Sequence, residues 1–397
     1  MRRSFVSRPP AAGILGGAAF LLIGWTGLLV PSLIRSIKAT FDQSDAGIGL
    51  FYLLYASAYA AGSLGGGLAI ERLGRRTVLA LAAVIHGIGL LLLGLGPTWI
   101  VFIAAALPVG LGAGGVDGGV NGLFLDLFRS GRGRALNLLH LFFSLGALTA
   151  PLAVGFLVDA GVDWQPIVVG TSLIVAPLAL LFGVVEMPGG RRDNRARPSE
   201  RAVAAGGTPA SRFAAPIILL GVAISCYVAS EVGVSSWLVR FLEPAPLAQA
   251  TTALSLFWAG LAVGRLVSSQ LADRFDPLAF ATVSAAGIGV ALIGAIFVPS
   301  LPVSIALFAI TGFASGPVFP MIVAIGGERY PDRSAAVSGF LTGAAVVGSV
   351  IYPPVMGFLS VTVGLTVAMF GNVILALACA AALLLVGRSR RGDDGPA

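Results

Sequence analysis

The chain has 397 residues, of which 57% are hydrophobic and only 11% are charged, and its formal net charge is +7. Soluble globular domains carry about one quarter charged residues, so the composition excludes an ordinary soluble protein. The two cysteines, Cys226 and Cys379, fall in different apolar runs and provide neither a disulfide framework nor metal-ligand spacing. We therefore expect no metal and no cofactor.

Twelve long apolar runs follow one another along the chain. A helix of about 20 apolar residues is long enough to cross the roughly 30 Å hydrocarbon core of a bilayer. The connections are too short for a soluble domain, and the first run is too long for a cleaved signal peptide. The sequence predicts an all-α membrane protein embedded in the lipid bilayer by twelve transmembrane helices, at 12–34, 47–69, 77–95, 99–123, 135–157, 165–186, 215–238, 249–271, 278–297, 303–325, 336–358 and 363–387.

The basic residues indicate the orientation of these spans. Of the 25 Lys and Arg residues, 21 lie on the termini or on the connections that share their side. Arg35, Lys38 and Arg240 lie on the other side, and Arg265 falls inside a span. Because cytoplasmic connections carry the excess of basic residues, both termini are predicted to be cytoplasmic. The positive charge is thus a topology signal, and we expect no nucleic-acid partner.

A single long polar stretch, rich in Arg, Gly and Pro, divides the chain at 187–214. This composition is typical of a flexible linker. The predicted organisation is an N-terminal six-helix bundle over 1–186, a cytoplasmic linker over 187–214, and a C-terminal six-helix bundle over 215–397.

The two halves also share residues at a constant offset of 202 positions. Gly110 corresponds to Gly312 and Gly146 to Gly348 at that offset. A common offset in separate regions favours two pseudo-symmetric bundles. Transporters built from such repeats bind their substrates near the bilayer midplane where the repeats meet.

The connection after the second span reads Gly-Leu-Ala-Ile-Glu-Arg-Leu-Gly-Arg-Arg over 67–76. This resembles the signature loop of the major facilitator superfamily, Gly-x-Leu-Ala-Asp-Arg-x-Gly-Arg-Arg/Lys. Gly67 would permit close helix packing, and the acid would pair with a loop arginine near a helix N-terminus. The resemblance implies a cytoplasmic gate comprising Gly67, Glu71, Arg72, Gly74, Arg75 and Arg76, with Asp273 and Arg274 as its second-half copy.

A finer resemblance links the chain to the fucose–proton symporter branch of that superfamily, which includes glucose/mannose-type relatives. Three stretches carry it: 114–121 in the fourth span, 137–148 in the fifth, and 227–231 and 236–238 with Gly264-Arg265 in the seventh and eighth. In that branch, carboxylates and amides bind sugar hydroxyls while an aromatic ring packs on the sugar. The implied substrate-binding residues are Asn121, Asn137, His140, Tyr227, Glu231, Trp237 and Trp258.

Helical spacing supports transport independently of the family. Asp117 and Asn121 are four residues apart, as are Tyr227 and Glu231, so each pair shares a helix face. Ionisable groups in hydrocarbon are costly unless they are paired or hydrated, so they should line a cavity. Arg265 is a candidate charge partner, although it could instead extend to the cytoplasmic surface.

Burial in the membrane disfavours the charged form of a carboxyl group. We therefore predict that Asp117 and Glu231 couple transport to protons, one as the carrier and the other mainly as a substrate ligand. Sodium remains an alternative coupling ion, because carboxylates and carbonyls bind either ion. His86, near mid-membrane, is expected to be a packing residue.

The residues leave several functions open. The favoured hypothesis is proton-coupled uptake of a monosaccharide or related polyol by alternating access. The alternative is a proton-coupled drug or metabolite exporter, suggested by the partial antiporter-like motif at 146–155. No nucleophile–base pair or phosphate-binding loop supports an enzyme, and a transport-inactive sensor would usually carry a long cytoplasmic extension. The resemblance to the superfamily implies a monomer. Because 24 of the 25 basic residues are arginine, we expect a high-GC prokaryote and therefore a cytoplasmic membrane.

Overall fold

The computed structural model describes residues 10–128, 132–188, 215–271 and 274–393. Its elements are α1 (Pro10–Gly27), α2 (Leu29–Phe41), α3 (Asp45–Leu73), α4 (Arg75–Leu95), α5 (Trp99–Leu127), α6 (Arg132–Asp159), α7 (Trp164–Val184), α8 (Ala215–Phe241), α9 (Leu247–Leu271), α10 (Pro277–Phe297), α11 (Leu301–Ser315), α12 (Val318–Arg329), a 3-10 turn (Pro331–Arg333), α13 (Ser334–Thr362) and α14 (Leu365–Asp393). Within the described ranges every regular element is helical, as expected where lipid cannot satisfy backbone polar groups.

These helices supply twelve segments long and apolar enough to span a membrane, which confirms the predicted number. The first span, Ala11–Phe41, combines α1 and α2 around a turn at Leu28. The tenth, Leu301–Arg329, combines α11 and α12. Its break falls at Gly316-Pro317, where proline has no backbone N–H to continue the helix.

The described residues form two compact units. The first takes the described residues up to Leu29, Leu54–Ala150, and the residues from Ala160 to 188. In it α4 packs on α5 and α7, while α1 packs on α5. Its core contains Phe20, Leu79 and Phe182 among other buried apolar side chains.

The second unit takes Val30–Leu53, Pro151–Asp159 and the described residues from 215 onward. In it α8 packs on α13 and α14, α9 packs on α11, and α10 packs on α11 and α14. Two short pieces of the predicted N-terminal bundle therefore belong to this unit. The predicted linker lies almost wholly outside the described residues, so the three-part domain division remains a prediction.

Glycines allow close helix contacts in both units, and one pair of them lies at the predicted 202-residue offset. A Cβ at Gly110 of α5 would lie 2.2 Å from the carbonyl oxygen of Tyr55 on α3. A Cβ at Gly312 of α11 would lie 1.9 Å from the carbonyl oxygen of Phe257 on α9. Both positions exclude any side chain, because small residues are what allow helix backbones to approach this closely. The repeated contact supports the internal repeat.

Candidate proton and substrate sites

The Asp117 carboxylate lies between α3 and α5 in the first unit. The side-chain amide of Asn121 donates to Asp117 Oδ1 at 3.2 Å, and the Tyr59 hydroxyl is also hydrogen-bonded to the carboxylate. Tyr59 reaches it because Gly114 lets the helices touch: a Cβ there would lie 2.0 Å from the Tyr59 carbonyl oxygen. Asp117 is partly buried. A carboxyl group held by a hydroxyl and an amide within the membrane can gain or lose a proton without losing its neighbours.

Two tyrosines of this site were not predicted from the sequence. The ring centroids of Tyr55 and Tyr59, one turn apart on α3, are separated by 6.1 Å, and the rings are tilted by 45° to each other. Both hydroxyl groups lie close enough to Asp117 to interact with its charge. The available signal was their four-residue spacing, which places them on one helix face together with Ser63.

The other predicted ligands of the N-terminal half occupy different environments. Asn137 and His140 are exposed side chains on α6, and the His140 ring lies edge-on to Phe20 with centroids 5.6 Å apart.

His86 is buried, with Nδ1 2.9 Å from the Val109 carbonyl oxygen and Nε2 3.1 Å from Thr26 Oγ1. Since a carbonyl only accepts, Nδ1 carries a proton. These contacts agree with the packing role predicted for His86.

Glu231 and Tyr227 form a polar site within the second unit. The Tyr227 hydroxyl contacts Glu231 Oε2 one helical turn away, and it also lies 2.9 Å from the carbonyl oxygen of Ser315 at the end of α11. Arg265 on α9 is partly buried and interacts electrostatically with the Glu231 carboxylate. The predicted pair of Tyr227 and Glu231 is therefore in contact, and Arg265, predicted only as a charge partner, acts on the same carboxylate within this unit.

The two predicted tryptophans are core residues in this conformation. Trp237 is fully buried and donates from Nε1 to the Pro353 carbonyl oxygen at 2.9 Å. Trp258 is also buried and donates to Ser235 Oγ at 3.0 Å. With their ring faces packed and their N–H groups used, both indoles hold helices together rather than presenting a free aromatic platform.

The predicted cytoplasmic gate is organised around Arg75. Its guanidinium donates to Asp126 Oδ2 at 2.7 Å and to the carbonyl oxygen of Pro188, which ties α4 to α5 and to the chain after α7. The sequence had suggested Glu71 as the acid of this cluster. Glu71 and Arg72 are instead exposed, and Asp126 supplies the carboxylate that pairs with the arginine.

The glycines of the same loop have different roles. Gly74 has a φ of 85°, a left-handed conformation that favours glycine, and it separates α3 from α4. A Cβ at Gly67 would meet no atom within 4 Å, so the close packing predicted there is wrong for this conformation. In the second-half copy, Arg274 is exposed and Asp273 lies outside the described residues. Asp276 caps α10 by accepting from the Ala279 amide at 2.8 Å.

A buried carboxylate at the far end of the second span was also missed. Asp45, at the start of α3, accepts hydrogen bonds from Lys38, from Arg240 at 2.9 Å, and from Ser360 at 2.5 Å. We call these four residues the Asp45 cluster. The cluster lies within the second unit and joins α2 and α3 to α8 and α13.

Arg35 reinforces the same attachment. Its guanidinium donates to the carbonyl oxygens of Val239 at 2.9 Å and Ala245 at 2.7 Å, near the end of α8. Lys38, Arg240 and Arg35 are the three basic residues that fell on the side opposite the positive excess. Each of them therefore has a structural partner, which gives a physical reason for their positions. Among the described residues no group of three His, Cys, Asp or Glu could hold a metal ion.

Comparison with known proteins identifies the class. The sequence profile of the Major Facilitator Superfamily matches residues 14–244 and 213–397, so the chain belongs to that superfamily. This confirms the resemblance inferred from the signature loop. The protein is accordingly a multi-pass membrane protein of this transporter superfamily.

Two curated relatives are distant in sequence. A TsgA homolog from Citrobacter koseri is 23% identical over 256 residues, and the chain spans only 63% of its length. An uncharacterized MFS-type transporter of Bacillus subtilis, YfkL, is 22% identical over 386 residues, which cover 92% of this chain and 93% of that protein.

Solved structures share the fold over nearly the whole chain. A bacterial homolog of the human lysosomal transporter Spinster, inward-facing and unoccupied, has a TM-score of 0.80 at 17% identity, covering 96% of this chain and 98% of that one. A D-xylose–proton symporter has a TM-score of 0.76 at 17% identity, with 96% and 97% covered. The Escherichia coli fucose–proton symporter has a TM-score of 0.65 at 17% identity, with 96% and 99% covered. At such identities the likeness establishes the fold alone.

Proposed function

We propose that this transporter couples the uptake of a monosaccharide or related polyol to protons by alternating access. The observation that carries the proposal is the Asp117 site, where a carboxylate within the membrane is held by Tyr59 and Asn121. Hydroxyl and amide neighbours can rearrange between a charged and a neutral carboxyl at little cost. They also match the hydroxyl groups of a sugar, which both donate and accept hydrogen bonds.

Glu231 supplies the second ionisable group of the proposal. It lies within the C-terminal half, where Tyr227 contacts it and Arg265 balances its charge. Either carboxyl can carry the proton while the other binds substrate. The fold similarity to proton symporters of D-xylose and fucose is compatible with this assignment. We further propose that both termini are cytoplasmic, since the basic residues favour that orientation, and that the protein is a monomer in a prokaryotic cytoplasmic membrane.

The test is uptake of labelled glucose, mannose, galactose and fucose into proteoliposomes under an inward proton gradient. Protonophore-sensitive accumulation of one sugar is the expected result. Asp117→Asn should abolish accumulation against a gradient while allowing counterflow. Asp163→Asn, at an exposed carboxylate that makes no capping hydrogen bond, is the matched control and should transport normally. Accumulation by Asp117→Asn at the wild-type level would remove Asp117 from coupling.

A second candidate is a proton-coupled exporter of organic cations or metabolites. The paired rings of Tyr55 and Tyr59 beside Asp117 favour it, because aromatic faces and a carboxylate attract a cation. Movement of a cationic dye driven by the proton gradient, with no flux of the four sugars, would select this function.

A further inference from the structure

The Tyr227 hydroxyl has two oxygen neighbours that compete for its single proton. One is Glu231 Oε2 and the other is the Ser315 carbonyl oxygen, 2.9 Å away. A phenol has one O–H donor and can also accept. The carbonyl can only accept. The two contacts can therefore both be full, unshared hydrogen bonds only if Glu231 itself provides a proton to the Tyr227 oxygen; with an ionised Glu231 the single Tyr227 proton is divided between two acceptors or goes to one of them.

Two hydrogen-bond arrangements follow from this count of protons. When Glu231 is protonated, its O–H donates to Tyr227 and Tyr227 donates to Ser315, so every group is paired. When Glu231 is ionised, the carboxylate competes for the Tyr227 proton, because bonds to a charged acceptor are the stronger ones. Ser315 then loses its bond from Tyr227. Ser315 is only 1% exposed, and a buried polar group that loses a partner is costly.

The Ser315 carbonyl group lies where the helix of the tenth span is interrupted. Ser315 ends α11, and Gly316-Pro317 separate it from α12. Gly316 packs directly on α9, where a Cβ would lie 2.5 Å from the Arg265 backbone nitrogen. A change in the bonding of Ser315 therefore acts where the helix is already interrupted and where it touches the helix that carries Arg265.

We propose that Tyr227 is a positioning residue that transmits the protonation of Glu231 to the break between α11 and α12. When Glu231 is protonated, the hydrogen bond from Tyr227 to the Ser315 carbonyl oxygen holds the ends of α11 and α12 in place. When Glu231 is ionised, that hydrogen bond is lost and the segment between the two helices is free to move. This rests on the proposed function and deepens it by making Glu231 a second protonation site beside Asp117, and by assigning Tyr227 to that proton rather than to the sugar. The other groups that act on this pair are Arg265 on α9, which opposes the carboxylate charge, and the Cys379 thiol on α14.

Hydrogen–deuterium exchange of peptides covering 313–323 tests the proposal without requiring transport. In the purified wild-type protein, exchange corrected for its intrinsic pH dependence should be roughly tenfold slower at low pH than at high pH, as loss of one buried hydrogen bond implies. Glu231→Gln, whose amide can donate permanently to Tyr227, should be slow at every pH. Tyr227→Phe, which removes the link, should be fast at every pH.

Tyr352→Phe is the matched control, because Tyr352 is another tyrosine of this unit that donates to a backbone carbonyl, that of Ala368, at 2.8 Å. In Tyr352→Phe the exchange of peptides covering 313–323 should still be slower at low pH than at high pH, as in the wild type. We call this difference the pH step. A step that persists unchanged in Tyr227→Phe or in Glu231→Gln overturns the proposal. If Tyr227→Phe does not fold, the Glu231→Gln result still decides. Sugar transport without the step would overturn only this inference, whereas the step without sugar transport would overturn only the proposed function.

Discussion

Replacing Asp45 by Asn should loosen the attachment of α2 and α3 to α8 and α13. The Asp45 side chain is 4% exposed, while those of Lys38 and Arg240 are 16% and 21% exposed. Breaking a fully buried ion pair costs about 3–5 kcal/mol. Because both cations still reach water and Asn can still accept hydrogen bonds, we expect a cost of about 2 kcal/mol. At 1.4 kcal/mol per factor of ten, that corresponds to roughly 30-fold more of the opened form.

The assay is the labelling rate of a cysteine placed beneath the cluster. Ser236 suits the probe, because it is buried and its carbonyl accepts a hydrogen bond from Tyr52 at 2.9 Å. In a Ser236→Cys background with Cys226 and Cys379 replaced by Ser, Asp45→Asn should raise the rate with a membrane-impermeant maleimide about 30-fold, provided that reaction follows a rapid local opening.

Glu243→Gln is the matched control for the charge change. Glu243 also pairs with Arg240, but its side chain is 50% exposed, and exposed pairs contribute about 0–1 kcal/mol. Its labelling rate should stay within a few-fold of the parent. Equal labelling rates for Asp45→Asn and Glu243→Gln would refute the reasoning that the buried Asp45 carboxylate attaches α2 and α3 to α8 and α13.

Three further results are expected. His86→Gln should lower the apparent melting temperature, since a buried residue with two hydrogen bonds is altered, yet leave coupled transport intact; loss of coupling at normal stability would contradict the packing role. Gly312→Ala must open a contact from 1.9 Å to at least 3.0 Å and should cost about 1–3 kcal/mol, whereas Gly287→Ala, which meets only a Cβ at 3.8 Å, should be neutral or stabilising in the same thermal assay. Arg75→Gln and Asp126→Asn should weaken stability non-additively in a double-mutant cycle, and additive effects would show that the 2.7 Å pair carries no coupling.

The sequence predicted the number of spans and their positions well, because hydrocarbon thickness fixes helix length and lipid forces the backbone to bond within each segment. It also predicted the Asp117–Asn121 and Tyr227–Glu231 pairs, since both are neighbours on one helix. Contacts between helices were harder. Nothing in the spacing of Tyr59 or Asp126 states which helix will approach it, so the partners of Asp117 and Arg75 were missed.

The signature loop shows how a motif can be right while the assignment of partners is wrong. The pattern led us to pair Glu71 with an arginine, although Asp126, 51 residues from Arg75, makes the contact. Trp237 and Trp258 were expected at a ligand because aromatic residues bind sugars, yet the same rings also fill a helical core and donate one hydrogen bond each. A sequence alone does not distinguish these uses.

The glycine contacts also restrict which parts of the transporter can act as moving parts. At Gly110 and at Gly312 one helix backbone rests on the carbonyl oxygens of the next, at separations that would admit no side chain. Sliding one helix of such a pair along the other would bring a side chain against the neighbouring backbone, so the two helices would first have to move apart. We therefore expect the part of α3 from Leu54 onward to move together with α5, and α9 to move together with α11, during the transport cycle. Bending should be confined to interruptions such as Gly316-Pro317, which would act as a hinge between α11 and α12.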